Sequence, residues 1–121
     1  MTYFAYLLRS ISAGTKKTYA GYSVNVEKRL IKHNTNTGAR STRGYKWKIV
    51  YKKKFKTKSE AMSYEYKIKK DKVLRNNILQ KFDIWKYQYY YLIKKIFHLY
   101  LLEPSLFLLM ILVKLVNLKK I

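Results

Sequence analysis

The chain has 121 residues, of which 27 are Lys or Arg and 6 are Asp or Glu, for a formal charge of +21. That length supports one domain and little more, and 49% hydrophobic with 17% aromatic residues excludes a wholly disordered polycation. The absence of cysteine excludes a disulfide-stapled fold, a thiolate metal site and a cysteine nucleophile, and accords with a reducing cytoplasm. A compact chain this positive repels itself and calls for a polyanionic partner, either nucleic acid or an anionic membrane.

Tyr3–Arg9 is β-rich, Ser10–Lys17 is a polar turn around Gly14, and Thr18–Ser23 is β-prone again, so a hairpin with a long loop is predicted. Asn25 can cap a helix with Glu27 in its first turn, running through Val26, Leu30 and Ile31 to about His33. Asn34–Gly44, rich in Asn, Thr, Ser and Gly, reads as a loop. In Trp47–Phe55 the residues Trp47, Ile49, Tyr51 and Phe55 alternate with Lys48, Lys52 and Lys54, which predicts a strand with one wet, cationic face. Thr57 and Glu60 have capping-box spacing, starting a helix that ends near Lys70, and Asp71 can cap a further short helix through Val73, Leu74 and Ile78. The expected fold class is α+β, in the order β-β-α-β-α-α, with a three-stranded antiparallel sheet flanked by helices and followed by a C-terminal helical extension.

Composition changes near residue 82. Residues 1–81 hold 21 of the 27 basic side chains, 4 of the 6 acids and all four glycines, whereas residues 82–121 are built from Tyr, Leu, Ile, Phe and Lys. We therefore expect a functional domain over 1–81 and a hydrophobic, helical extension over 82–121. The run Leu106–Val113 is apolar throughout, yet a membrane span needs about 20 such residues. An anchoring segment is weighed there but not favoured over a weakly constrained appendage. Thr2–Arg9 lacks the basic region and long apolar core of a secretory leader.

Three features of the front domain carry chemistry. Glu65 lies at helical spacing from Ala61 and Ile68, which puts a carboxylate on the apolar stripe, where it needs a cation or donors. An ordinary ion pair answers that need; so does a divalent metal, to which carboxylate oxygens are suited. Arg29 and His33 are one helical turn apart, and a guanidinium fork matches phosphate oxygens. Tyr6 and Tyr19 fall on paired strands with Gly21 close behind, so both phenols can share one side of the sheet. Together these groups suit phosphodiester hydrolysis. The arginine neutralises phosphate charge, a metal on the carboxylate activates water, and a phenol with a lowered pKa orients or deprotonates that water.

The segments Tyr3-Phe4-Ala5-Tyr6-Leu7-Leu8-Arg9, Thr18-Tyr19-Ala20-Gly21-Tyr22-Ser23, Glu27 to Asn34, Gly38 to Gly44 and Ser59 to Lys70 resemble, in order and spacing, a GIY-YIG nuclease domain over roughly residues 2–80. The similarity is greatest to the small single-domain bacterial members and more distant to the nuclease domain of the excision-repair protein UvrC. The resemblance implies a metal-dependent endonuclease acting on DNA, in repair or recombination. It matches Tyr6 and Tyr19 to the signature tyrosines, Arg29 to the phosphate-binding arginine, His33 to a position often held by histidine, and Glu65 to the single ligand of Mg²⁺ or Mn²⁺. Ala20 stands where the signature has isoleucine, and Tyr45-Lys46-Trp47 replaces a segment that commonly holds proline.

Contacts to the DNA backbone are assigned to Arg40, Arg43, Lys46, Lys48 and Lys52, with little sequence specificity because no base-reading element is evident. Trp47 is read as core rather than as a stacking platform. The rival reading is a non-catalytic nucleic-acid-binding module, membrane-associated through its tail.

Overall fold

The computed structural model describes residues 1–118. Its elements are β1 (Tyr3–Ser10), β2 (Thr18–Ser23), α1 (Val26–Asn34), a 3₁₀ turn (Arg40–Thr42), β3 (Trp47–Phe55), α2 (Lys58–Lys70), α3 (Lys72–Leu102) and α4 (Pro104–Leu118). The α+β class and the β-β-α-β-α-α order are those the sequence predicts. Asn25 Oδ1 accepts from the Lys28 amide at 3.0 Å, Thr57 and Glu60 close a reciprocal capping box, and Asp71 Oδ1 accepts from the Leu74 amide at 2.9 Å, so each predicted cap starts its helix.

The sheet is antiparallel in the order β2-β1-β3. On β1, Leu7 points to a core with Ala20, Val50, Ile68 and Ile78, where α2 and the first turns of α3 pack. Tyr6 and Leu8 point the other way, to a core with Val26 and Trp47 beneath α1.

One expectation fails on β3. Leu7 stands opposite Tyr51 but Leu8 stands opposite Ile49, so Val50 is an extra residue and the strand carries a β-bulge. The bulge reverses the alternation. Trp47 and Ile49 pack with Tyr6, whereas Val50 and Tyr51 pack with Leu7 on the opposite face. The strand therefore has no single cationic face. Lys48 sits opposite Arg9 with its ammonium 5.1 Å from the Phe82 ring, while Lys52 sits opposite Tyr6.

The second difference is the length of α3. The predicted short helix is 31 residues long and runs through the composition change at residue 82 without a break. By contact density the chain divides at Phe82 and Asp83 into two units. In the second unit Tyr87, Tyr91, Leu108, Leu109 and Leu112 are exposed. Among the described residues no helix is long and apolar enough to cross a membrane.

Candidate active site

The β1–β2 register sets Tyr6 opposite Gly21 and Leu8 opposite Tyr19, which puts both phenols on the α1 face of the sheet. Their ring centroids are 6.4 Å apart, and the His33 imidazole lies 6.2 Å from Tyr6 and 4.8 Å from Tyr19. Gly21 makes the arrangement possible. A Cβ there would come within 2.5 Å of Tyr6 Cζ and Oη. Gly21→Ala is expected to displace the Tyr6 ring and cost about 1–3 kcal/mol of stability, as overpacking does. Chemical denaturation measures the loss, and an unchanged midpoint counts against so tight a fit.

His33 is fully buried. Its Nδ1 is 2.9 Å from Thr42 Oγ1 and its Nε2 is 3.0 Å from Tyr6 Oη. The Thr42 hydroxyl donates to the Ala39 carbonyl at 2.7 Å, so its oxygen is left to accept from Nδ1–H, and Nε2 then accepts from the Tyr6 hydroxyl. Tyr6 Oη in turn accepts from the Arg29 guanidinium. Arg29 is half-buried one turn before His33 on α1, the position the helix period predicts.

Burial first, then the neighbouring Tyr19, pushes the Tyr6 pKa up to about 12 against the pull of Arg29. The lowered phenol pKa expected from the surrounding cations is thus not found at Tyr6, because a side chain 1% exposed loses more from desolvation than one guanidinium returns. Tyr6 is held as a neutral hydrogen-bond donor. Tyr19, half-buried, is the phenol that reaches the surface.

Desolvation and then Arg29 also lower the His33 pKa below its ordinary 6.5. A histidine held neutral in the fold binds its proton more readily when unfolded, so stability declines as pH falls below about 6.5. Urea titrations at pH 7.5 and 5.5 should show the decline, and His33→Gln should flatten it. An equal slope in that variant would assign the effect elsewhere.

Glu65 comes from α2, across the sheet from α1. Its carboxylate is 13% exposed and paired with Lys69 one turn on. Its charge is the weakest of the five influences on the Tyr6 pKa. Among the described residues no three His, Cys, Asp or Glu side chains gather as an all-protein metal cage would require. A single carboxylate fits a hydrated Mg²⁺ or Mn²⁺, which keeps several waters and takes its remaining ligands from substrate phosphate.

The five cations assigned to DNA do not form one strip. Arg40 and Arg43 are exposed at either end of the 3₁₀ turn, and the exposed Lys46 donates to the Asn34 carbonyl at 2.7 Å. Lys52 lies on the Tyr6 face and pairs with Glu27 at 2.8 Å. The bulge turns Lys48 to the other face. Trp47 is core, 3% exposed, with its indole N–H donating to the Thr42 carbonyl at 2.9 Å. The Asn34 side chain holds the backbone of Trp47 at both N–H (2.7 Å) and C=O (3.1 Å), which orders the start of β3 without a proline.

Thr42 and Gly38 lie in the Gly38 to Gly44 segment that carries part of the family resemblance, and the structure makes both of them contacts of His33. Thr42 is fully buried against His33, and a Cβ on Gly38 would stand 2.7 Å from His33 Nδ1. Neither lies on a strand or α-helix with a hydrophobic period, so the sequence marks the segment without showing that Thr42 is buried.

A sheet with two tyrosines facing a helix arginine, and the largely buried Glu65 carboxylate on α2, defines a class. Residues 2–78 match the GIY-YIG catalytic domain, and the chain belongs to that family of nucleases. Its relatives within the family include UPF0213 proteins. That of Oceanobacillus iheyensis is 44% identical over 68 residues, covering 55% of this chain and 76% of the relative. That of Staphylococcus saprophyticus is 48% identical over 52 residues, 42% of this chain and 63% of the relative. Clostridium perfringens has one 48% identical over 63 residues, 51% of this chain and 66% of the relative. The solution structure of a UPF0213 protein from Bacillus halodurans is 28% identical, covers 66% of this chain and 84% of that one, and superposes with a TM-score of 0.39.

Proposed function

We propose that the protein is a metal-dependent endonuclease that hydrolyses phosphodiester bonds in DNA. The observation that carries the reading is the cluster on the α1 face, where one guanidinium, two phenols and a neutral imidazole are joined by ring contacts and directed hydrogen bonds. Arg29, half-buried and braced from behind by Tyr6, presents its remaining N–H groups to a phosphate and offsets the charge that develops during attack. Tyr19, half-buried beside Tyr6 and His33, orients the attacking water. Tyr6 and His33 fix this pair from below. Glu65 is the metal ligand, and a bound Mg²⁺ or Mn²⁺ supplies Lewis-acid stabilisation of the leaving oxygen. Arg40, Arg43, Lys46 and Lys52 hold the strand through its phosphates, so affinity falls steeply with salt.

The test is a panel of linear, branched and single-stranded DNA, with RNA as a comparison, incubated with the protein and with Arg29→Ala. The parent should cut in the presence of divalent metal. Arg29→Ala should cut at least 10²-fold more slowly, about the loss of one good charge-stabilising donor, while still binding. Binding of every substrate without a product from any would leave a nucleic-acid-binding module on this fold.

A further inference from the structure

We infer that Thr42 is a positioning residue that fixes the tautomer of His33 and, through it, the direction of the Tyr6 hydroxyl and the seat of Arg29. The inference deepens the nuclease reading and rests on it for its effect on cutting alone.

The Ala39 carbonyl accepts both the Thr42 amide at 3.0 Å and the Thr42 hydroxyl at 2.7 Å. That hydroxyl has one proton, so its oxygen faces His33 Nδ1 only as an acceptor. Nδ1 therefore keeps its hydrogen and Nε2 is bare. The bare nitrogen draws the Tyr6 O–H toward itself, which leaves the Tyr6 oxygen lone pairs for Arg29.

The opposite tautomer fails at both ends. Thr42 Oγ1 and an unprotonated Nδ1 would be two acceptors 2.9 Å apart with the only hydrogen committed to Ala39. At the other end Tyr6 Oη would meet N–H donors from His33 and Arg29 together, and its own hydrogen would have to turn away. In a fully buried pair each unmet group costs about 1–3 kcal/mol, so one tautomer prevails.

The loop is built to hold Thr42 in place. The Trp47 indole anchors the Thr42 carbonyl from β3. Asn36, at φ 60, accepts from the Gly44 amide at 2.8 Å and closes the loop on itself. Gly38 has no Cβ where one would press on the imidazole. The chain of contacts thus runs from the loop, through α1 and β1, to the guanidinium.

The experiment is imidazole ¹⁵N spectroscopy of the full chain with Thr42→Val and Thr42→Ser, alongside cutting rates. The parent should show His33 protonated at Nδ1 and bare at Nε2. Thr42→Val, which keeps the volume and loses the hydroxyl, should shift the population toward the Nε2-protonated form and slow cutting about 10–100-fold, the usual effect of losing a partner behind a functional group. Thr42→Ser should restore both. A parent His33 protonated at Nε2 overturns the inference without any variant, and so does a tautomer unchanged in a folded Thr42→Val. If the parent cuts no nucleic acid, the spectrum still decides this point, so failure of the nuclease reading and failure of the inference remain separate results.

Discussion

Glu65→Gln is expected to remove metal-dependent cleavage while leaving stability and DNA binding close to those of the parent. In the fold, the Glu65 carboxylate makes an i,i+4 pair with a half-exposed lysine, a contact worth only a few tenths of a kcal/mol. Glutamine fills the same space on α2 and keeps the helix. As a metal ligand the same carboxylate supplies several kcal/mol of transition-state stabilisation, which at about 1.4 kcal/mol per tenfold is about 10³ in rate. Cleavage assays and thermal melts on the same preparation separate the two. A variant that cuts as fast as the parent would take Glu65 out of the site, and one that fails to fold would make the carboxylate structural.

The two tyrosines should part company when each is changed to phenylalanine. Tyr19 is half-buried at the surface with its ring against those of Tyr6 and His33, contacts that phenylalanine keeps, so Tyr19→Phe should keep the melting temperature and lose about 10²–10⁴ in rate as the hydroxyl that handles the attacking water is removed. Tyr6 is buried, with His33 on one side of its hydroxyl and Arg29 on the other. Tyr6→Phe leaves His33 Nε2 without a donor and the guanidinium without its brace. It should cost about 1–3 kcal/mol of stability as well as activity. Equal effects of the two substitutions on stability would mean that the phenols do not divide the work as their burial indicates.

Much of this was legible in the chain because local physics and tertiary packing agree in the first 70 residues. The caps at Asn25 and Thr57 bond as their side chains dictate, and the hairpin register puts Tyr6, Tyr19 and Gly21 where alternate residues on paired strands must lie. The i,i+4 spacing of Arg29 and His33 carried directly into a shared face. What was not legible depends on choices that no local pattern records. The bulge at Val50 is set by which residues of β1 and β3 meet, so the Lys–aromatic alternation looked like one wet face when it was two. The direction of the Tyr6 pKa shift depends on burial, which the nearby cations in the sequence do not reveal. Thr42 sits in a loop where sequence shows polar residues and packing makes one of them core. The length of α3 follows from a Tyr- and Leu-rich stretch with no glycine or proline between Asp71 and Pro104, whereas the composition change at residue 82 had suggested an end.

The measurement closest to the central claim is a single-turnover time course with the parent protein in excess over end-labelled DNA, run in Mg²⁺, in Mn²⁺ and in chelator. Arg29, the phenols and Glu65 acting on one phosphodiester predict cut strands that accumulate in the metal lanes and are absent from the chelated one. DNA that stays whole in every lane while fully bound, or that is cut equally with chelator present, contradicts the account.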